Sequence, residues 1–176
     1  LISIKDCTLQ ISETYQKGKV SFSLNLIIPI METDACLLGL DYGEKRIGVA
    51  ISDTRKVISS NLRTILKKKP QLYIDELKKI CIERNVGGII IGFPLNMNGT
   101  EGPRCQATRS FAKKLTHAGL PINAFWDERL SSAAAENILL EANSSRKRRK
   151  EIIDQVAANI ILQSALDRLQ NSVHEE

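Results

Sequence analysis

Clusters of cysteine and histidine, the usual makings of a zinc site, are missing from this sequence. Its four cysteines (Cys7, Cys36, Cys81 and Cys105) are scattered, form no CxxC pair and have only His117 and His174 beside them, which argues against zinc. Cys81 falls within an apolar helical pattern and reads as core packing in a reducing compartment. No apolar run reaches the roughly 18 residues of a membrane span. The most apolar N-terminal stretch, Leu24 to Ile30, lies behind Asp6, Glu13 and a mixed polar segment, which is not the layout of a signal peptide. A cytoplasmic protein without membrane attachment is expected. Internal repeats and low-complexity tracts are also missing, so solenoids and disordered tails are not indicated.

What is present is an ordinary globular composition, 43% hydrophobic and 26% charged, with a mean hydropathy of -0.14. At 176 residues the chain can bury one real core but not two full-sized enzymatic domains. The net charge of +5 and pI near 9.1 favour a polyanionic partner. That basicity is focal, because Arg146, Lys147, Arg148, Arg149 and Lys150 match the whole net charge of +5.

Residues 1–30 differ in character from the remainder of the chain: no turn signals tie them to the next segment, and Met31 looks like a natural start. The expectation is an extension over 1–30 and one domain over 31–176; the alternative is an added strand or hairpin from Val20 to Ile30. Beyond Met31, an apolar strand (Cys36 to Leu40) stops at Asp41-Tyr42-Gly43, Arg46 to Ser52 forms a second and Ser59 to Leu66 a third, which makes a meander. Leu72, Tyr73, Leu77, Ile80 and Cys81 then repeat at helical spacing after Pro70, before the strand Val86 to Ile91. A loop, Gly92 to Gly102, leads into a helix opened by Pro103 that runs to about His117, and Pro121 to Trp126 is a fifth strand. Ser131 caps a helix to about Ala142, and a final helix carries Ile153, Val156, Ala157, Ile160, Leu166 and Leu169 on an apolar face. The order βββαβαβαα predicts an α/β fold, a mixed five-stranded sheet with helices on its faces.

Three places in this order could carry chemistry. Asp41 ends an apolar strand, where active sites are commonly built, although a turn-initiating aspartate would look the same. Asp127 and Glu128 follow another apolar strand, and alternation allows only one of them to face the way Asp41 faces. Asp154 lies early in the final helix, where an anion also suits the dipole. The small apolar stripe Ala158, Ile161, Ala165 would let that helix pack closely and bring Asp154 to the sheet edge. Three converging carboxylates repel, and hard divalent cations with all-oxygen ligands, Mg²⁺ or Mn²⁺ and as a pair about 4 Å apart, would compensate and drive phosphoryl displacement. The loop containing Asn96, Asn98 and Thr100 has donors suited to a phosphate or sugar, but could equally be a plain connection.

Together these segments resemble the YqgF/RuvX family, described both as Holliday junction resolvases and as pre-16S rRNA nucleases, with an RNase H-like fold. The resemblance rests on LDYGEKRIGVA (Leu40 to Ala50), IGFPLNMNGTE (Ile91 to Glu101), DERLS (Asp127 to Ser131) and Ile153-Asp154 with Ala157-Ala158 and Ile160-Ile161-Leu162 downstream. It implies that Asp41 is the first metal ligand, the Asp127-Glu128 pair supplies the second acid, and Asp154 the third. Glu128, with the longer reach, is the expected ligand and Asp127 its support. The chain departs from the family pattern at Gln155, where a small residue is usual, and at Arg148-Arg149-Lys150, where a Lys-Gly-Lys-like approach is usual.

The expected activity is metal-dependent endonucleolytic hydrolysis, on the 5′ end of pre-16S rRNA during ribosome biogenesis. The alternatives are cleavage of four-way DNA junctions in recombination and repair, or a module that binds nucleic acid without cutting it. Lys45, Arg46 and Arg129, with the Arg146 to Lys150 run and the Asn96, Asn98, Thr100 loop, are the expected backbone contacts. Ribosomal precursor particles are further candidate partners, and the protein would be a monomer or homodimer. An Asp-x-Gly turn before a Gly-Val-Ala strand also looks like the phosphate loop of sugar kinases and actin-like ATPases. Those enzymes need a second lobe for which this chain has no length.

Overall fold

The computed structural model describes residues 27–129 and 146–173, with the side chains of 146–155 and 172–173 outside that description. The chain forms α1 (Ile28–Met31), β1 (Cys36–Tyr42), β2 (Arg46–Ser52), β3 (Ser59–Leu66), α2 (Pro70–Glu83), β4 (Val86–Phe93), α3 (Pro103–His117), β5 (Ile122–Asp127) and α4 (Arg146–Val173). The meander, both crossover helices and the fifth strand form where the sequence pattern predicts them. The expected helix from Ser131 to Ala142 lies outside the described residues.

The sheet is five-stranded in the order β3-β2-β1-β4-β5. β2 is antiparallel to β1 and β3, whereas β4 runs parallel to β1 and β5 parallel to β4. This mixed five-stranded sheet, a three-strand antiparallel meander extended by two parallel strands through crossover helices, is the expected α/β arrangement. The C-terminal ends of β1, β4 and β5 therefore lie along one edge. β1 and β4 are central and covered on both faces, so Leu37 to Leu40 and Ile89 to Ile91 can be apolar without alternation. Edge strand β3 buries only Ser59 and Ile65.

Each face has its own core. Leu38, Leu40, Val49, Ile89, Ile91 and Phe125 pack with Leu77 and Ile80 of α2 and Phe111 and Leu115 of α3. On the other face Leu37, Ala50, Ile90, Ala124 and Trp126 pack under Ala158, Ile161, Leu162, Ala165 and Leu166 of α4. The contact is close: a Cβ on Gly39 would stand 2.6 Å from Leu162 Cβ and 3.0 Å from the Ala158 carbonyl oxygen. Side-chain amides fix the helix along its length. Ser59 donates from N to Gln163 Oε1 (2.8 Å) and from Oγ to Asn159 Oδ1 (2.6 Å), and Gln163 and Gln170 donate to the carbonyls of Val57 (3.0 Å) and Lys56 (3.1 Å).

Residues 27–31 form a short turn of helix against the α4-side core. Ile27 is fully buried there, and Ile30 fills the space over Gly88, whose added Cβ would meet Ile30 Cδ1 at 2.8 Å. Removal of a buried isoleucine side chain costs about 2–5 kcal/mol, which is roughly 5–15 °C in Tm for a chain of this size. Deletion of residues 1–30 should therefore lower Tm by that amount relative to deletion of 1–26. Equal melting curves for the two truncations would show that Ile27 and Ile30 carry no stability.

Candidate active site

Along β1, Leu37 and Gly39 face α4, so alternation turns Asp41 to the same face at the strand's end. Asp41 pairs with Gly48 across the β1–β2 ladder. A Cβ on Gly48 would lie 3.5 Å from Asp41 Cβ and 3.2 Å from Ala158 Cβ, which puts α4 directly over this pair. Position 154 is one helical turn before Ala158 on the same helix. The Asp154 side chain lies outside the described residues.

The same alternation separates the two acids after β5. Phe125 belongs to the α2/α3 core and Trp126 to the α4 core, so Asp127 follows Phe125 and Glu128 follows Trp126. Glu128 shares the face of Asp41. Its backbone N donates to the Phe93 carbonyl (3.2 Å), and its carboxyl lies over Gly92, where an added Cβ would stand 2.8 Å from Oε1. Leu40 pairs with Ile91, so Asp41 and Gly92 follow one step further along neighbouring strands. Burial pushes Glu128 up to about 7, the charge of Asp41 adds to that push, and Arg104 opposes it. Asp41 and Glu128 thus form one electrostatic unit.

Asp127 is engaged differently. Its Oδ1 accepts from Arg129 N and Nε (3.0 Å each), and its Oδ2 accepts from Nη2 (2.6 Å). Those bonds hold its carboxyl below the usual aspartate range. Arg129 also reaches toward the Met97 carbonyl (3.5 Å), so this pair ties the end of β5 to the loop after β4. In that loop Asn96 donates to Thr100 Oγ1 (2.9 Å), and Asn98 Oδ1 accepts from the Thr100 N (3.1 Å) and Oγ1 (2.6 Å). These three side chains bond one another and shape the loop. Arg109 of α3 pairs with Glu101 and lies 5.1 Å from the centre of the Phe93 ring.

Asp41 opens on a depression of about 830 Å³ whose wall carries four cations: Lys45, Arg46, Lys67 and Arg104. The sequence pattern predicts Lys45 and Arg46 but not Lys67 and Arg104. Lys67 donates to the Gly43 carbonyl (2.9 Å), with its ammonium 3.6 Å from the centre of the Tyr42 ring. The sequence signal of Lys67 and Arg104 is slight. Each flanks the start of a helix, at the element ends that adjoin the acid-bearing strand ends. The side chains of Arg146, Lys147, Arg148, Arg149 and Lys150 lie outside the described residues.

Among the described residues no three His, Cys, Asp or Glu side chains form a ready metal cage. The donor set nevertheless suits a hard cation. Two carboxyls share a face, and burial together with the Asp41 charge holds Glu128 toward its protonated form, a penalty that a bound cation would offset.

Comparison with known proteins gives this geometry a context. The family model described as RuvX, Holliday junction resolvase, matches residues 35–168. A relative from Ruegeria sp. (strain TM1040), provisionally named a pre-16S rRNA nuclease, is 55% identical over 77% of this chain and 86% of its own length. One of the same provisional name from Rhodobacter capsulatus is 55% identical over 76% of this chain and 84% of its own. Among solved structures, Thermus thermophilus RuvC in complex with a Holliday junction substrate aligns at 12% identity and a TM-score of 0.47, over 75% of this chain and 93% of that one.

The Glu128 pocket generates two expected outcomes. Folding raises the pKa of Glu128, so its contribution to stability is complete below pH 4.5 and is lost as pH rises to about 7. Without metal, Tm should fall by roughly 5–10 °C across that window, and Glu128→Gln should flatten the fall. An unaltered slope in the variant would remove Glu128 as the cause. Gly92→Ala should displace Glu128 or Ile161, because its Cβ would stand 2.8 Å from one and 2.5 Å from the other. Cleavage should then drop while the fold persists, as read by circular dichroism beside an activity assay.

Proposed function

The chain belongs to the RuvX family of Holliday junction resolvases, and on that premise we propose that it is a metal-dependent endonuclease whose substrate is pre-16S rRNA. The observation that carries the reading is the placement of Asp41 and Glu128 on one face of one sheet edge, close enough for each charge to burden the other. Asp154, one turn before Ala158, would add a third carboxylate there. Asp41, Glu128 and Asp154 would hold Mg²⁺ or Mn²⁺. Bound there, such ions supply an activated water and neutralise charge on the phosphate under attack.

The protein's own groups do the rest. Lys45, Arg46, Lys67 and Arg104 ring the depression beside Asp41 and hold phosphate oxygens in place by charge. Asp127 acts through Arg129: it orients the guanidinium that steadies the Asn96 to Thr100 loop, and so positions what lies against that loop. The Arg146 to Lys150 run opens α4 shortly before Asp154 and extends this attraction along the strand.

The RNA reading follows the provisional names of the relatives, and a four-way DNA junction follows the family description. An rRNA nuclease would act in the cytoplasm on ribosomal precursor particles, and one active site suffices for each cut. A junction needs two sites acting together, hence a homodimer. No described helix is long and apolar enough to cross a membrane.

With Mn²⁺, purified protein should cut labelled pre-16S rRNA, and a synthetic junction run in parallel should be cut poorly. The reverse preference would reassign the substrate to DNA. Asp41→Asn and Asp154→Asn should each lower cleavage by about 100-fold or more while leaving circular dichroism unchanged, since loss of a ligand outweighs the 10–100-fold typical of an outer partner. Glu128→Gln should behave like them, and Asp127→Asn more mildly; the opposite order would exchange the two roles. Full activity in EDTA would sink the metal mechanism.

A further inference from the structure

We propose that the groove between α2 and α3, which opens on the sheet face opposite α4, holds the substrate's sugar-phosphate backbone about six nucleotides from the cut. The proposal rests on the nuclease reading above. The groove encloses about 640 Å³. Ile74 forms an apolar part of its lining, Lys78 faces it from α2, and Ser110, Lys113, Lys114 and His117 face it from α3. No acidic side chain lines it among the described residues. His117 Nδ1 lies 2.7 Å from the Lys113 carbonyl, and a carbonyl can only accept, so that nitrogen carries the proton and the ring is fixed beside the groove by its own helix.

The groove and the site depression are lined by successive turns of the same helix, α3. On α3 the spacing 104, 107, 110, 114, 117 is one helical stripe; its first two residues line the Asp41 depression and its last three line the groove. On the α2 side, Lys67 lines the depression, while Ile74 and Lys78 line the groove. From Arg104 to His117 is thirteen residues of helix, about 20 Å at 1.5 Å per residue. That length matches about six nucleotides of stacked strand at 3.4 Å each. Attraction of Lys114 and His117 to the α3 C-terminal dipole accounts for those two alone. It leaves unexplained why Lys78 meets them from the other helix. A linear polyanion accounts for all of them and for the track that joins them to the depression.

The test is binding by the full chain to two labelled RNAs that span the same cut, one with about twelve nucleotides on each side and one with about three. The triple variant Lys78→Ala, Lys113→Ala, Lys114→Ala should bind the long RNA tens-fold more weakly at 0.15 M salt, with a log-log salt slope shallower by about two. It should bind and cut the short RNA as the parent does. Lys113→Glu with Lys114→Glu, which leaves the half-buried Lys78 in place, should repeat the pattern, so poor folding of the triple variant cannot mimic it. Unchanged affinity for the long RNA would overturn the proposal and leave the groove to an acidic protein partner. Equal weakening on both RNAs would also overturn it, since that reports general charge rather than a distant contact. A parent protein that cuts no nucleic acid would defeat the nuclease reading, whereas the long-against-short binding difference is read independently of cleavage.

Discussion

The closeness of α4 to the sheet is the constraint on which the rest depends. Helix and sheet touch through Ala158 and Leu162 on one side and Gly39 and Gly48 on the other, with no room for a Cβ at position 39. Small residues at three of these points, Gly39, Gly48 and Ala158, trade buried apolar area for proximity, and the area is recovered nearby, where Leu37, Ile90 and Trp126 meet Ile161 and Leu166. That proximity brings the Asp154 backbone toward the strand end that bears Asp41. With a bulkier residue at position 158 or 48, the helix would ride higher and its early turns would leave the sheet edge.

Strand alternation then divides the labour at the end of β5. Two adjacent acids cannot serve one face, and the pleat sends them apart. Glu128 goes over Gly92 into a partly buried place beside a like charge, an expensive arrangement for a carboxylate without a cation. Asp127 goes to the other face and finds a guanidinium that accepts its charge at once. One acid is held above the ordinary carboxylate range and the other below it, which is how neighbouring carboxylates acquire different roles.

Much of this is readable in the sequence. Pro70 and Pro103 mark the starts of α2 and α3, and the period-two and continuous apolar runs give all five strands. The strand-then-acid pattern points to Asp41 and the Asp127-Glu128 pair because strand direction and alternation are local properties. Lys67 and Arg104 are hidden because they meet only when the ends of β1 and β3 and the start of α3 are assembled, and no spacing in the chain encodes that meeting. The loop side chains Asn96, Asn98 and Thr100 advertise hydrogen-bonding capacity, but composition does not reveal that they spend it on one another. Which of two adjacent acids faces Asp41 needs the register, fixed by the packing of Phe125 and Trp126 into opposite cores.

Uncharged groups fasten α4 to the β2–β3 hairpin over its described middle part: Asn159, Gln163, Gln170 and Ser59 bond one another and main-chain carbonyls. Mobile ions screen attraction between exposed charges but hardly touch dipoles in partly buried contacts. The scaffold and the substrate contacts therefore answer to different solution variables. On the proposed reading, raising ionic strength would strip a nucleic acid from the cationic wall while the helix stays seated, so a cleaved product would be let go without loosening the frame that aligned it.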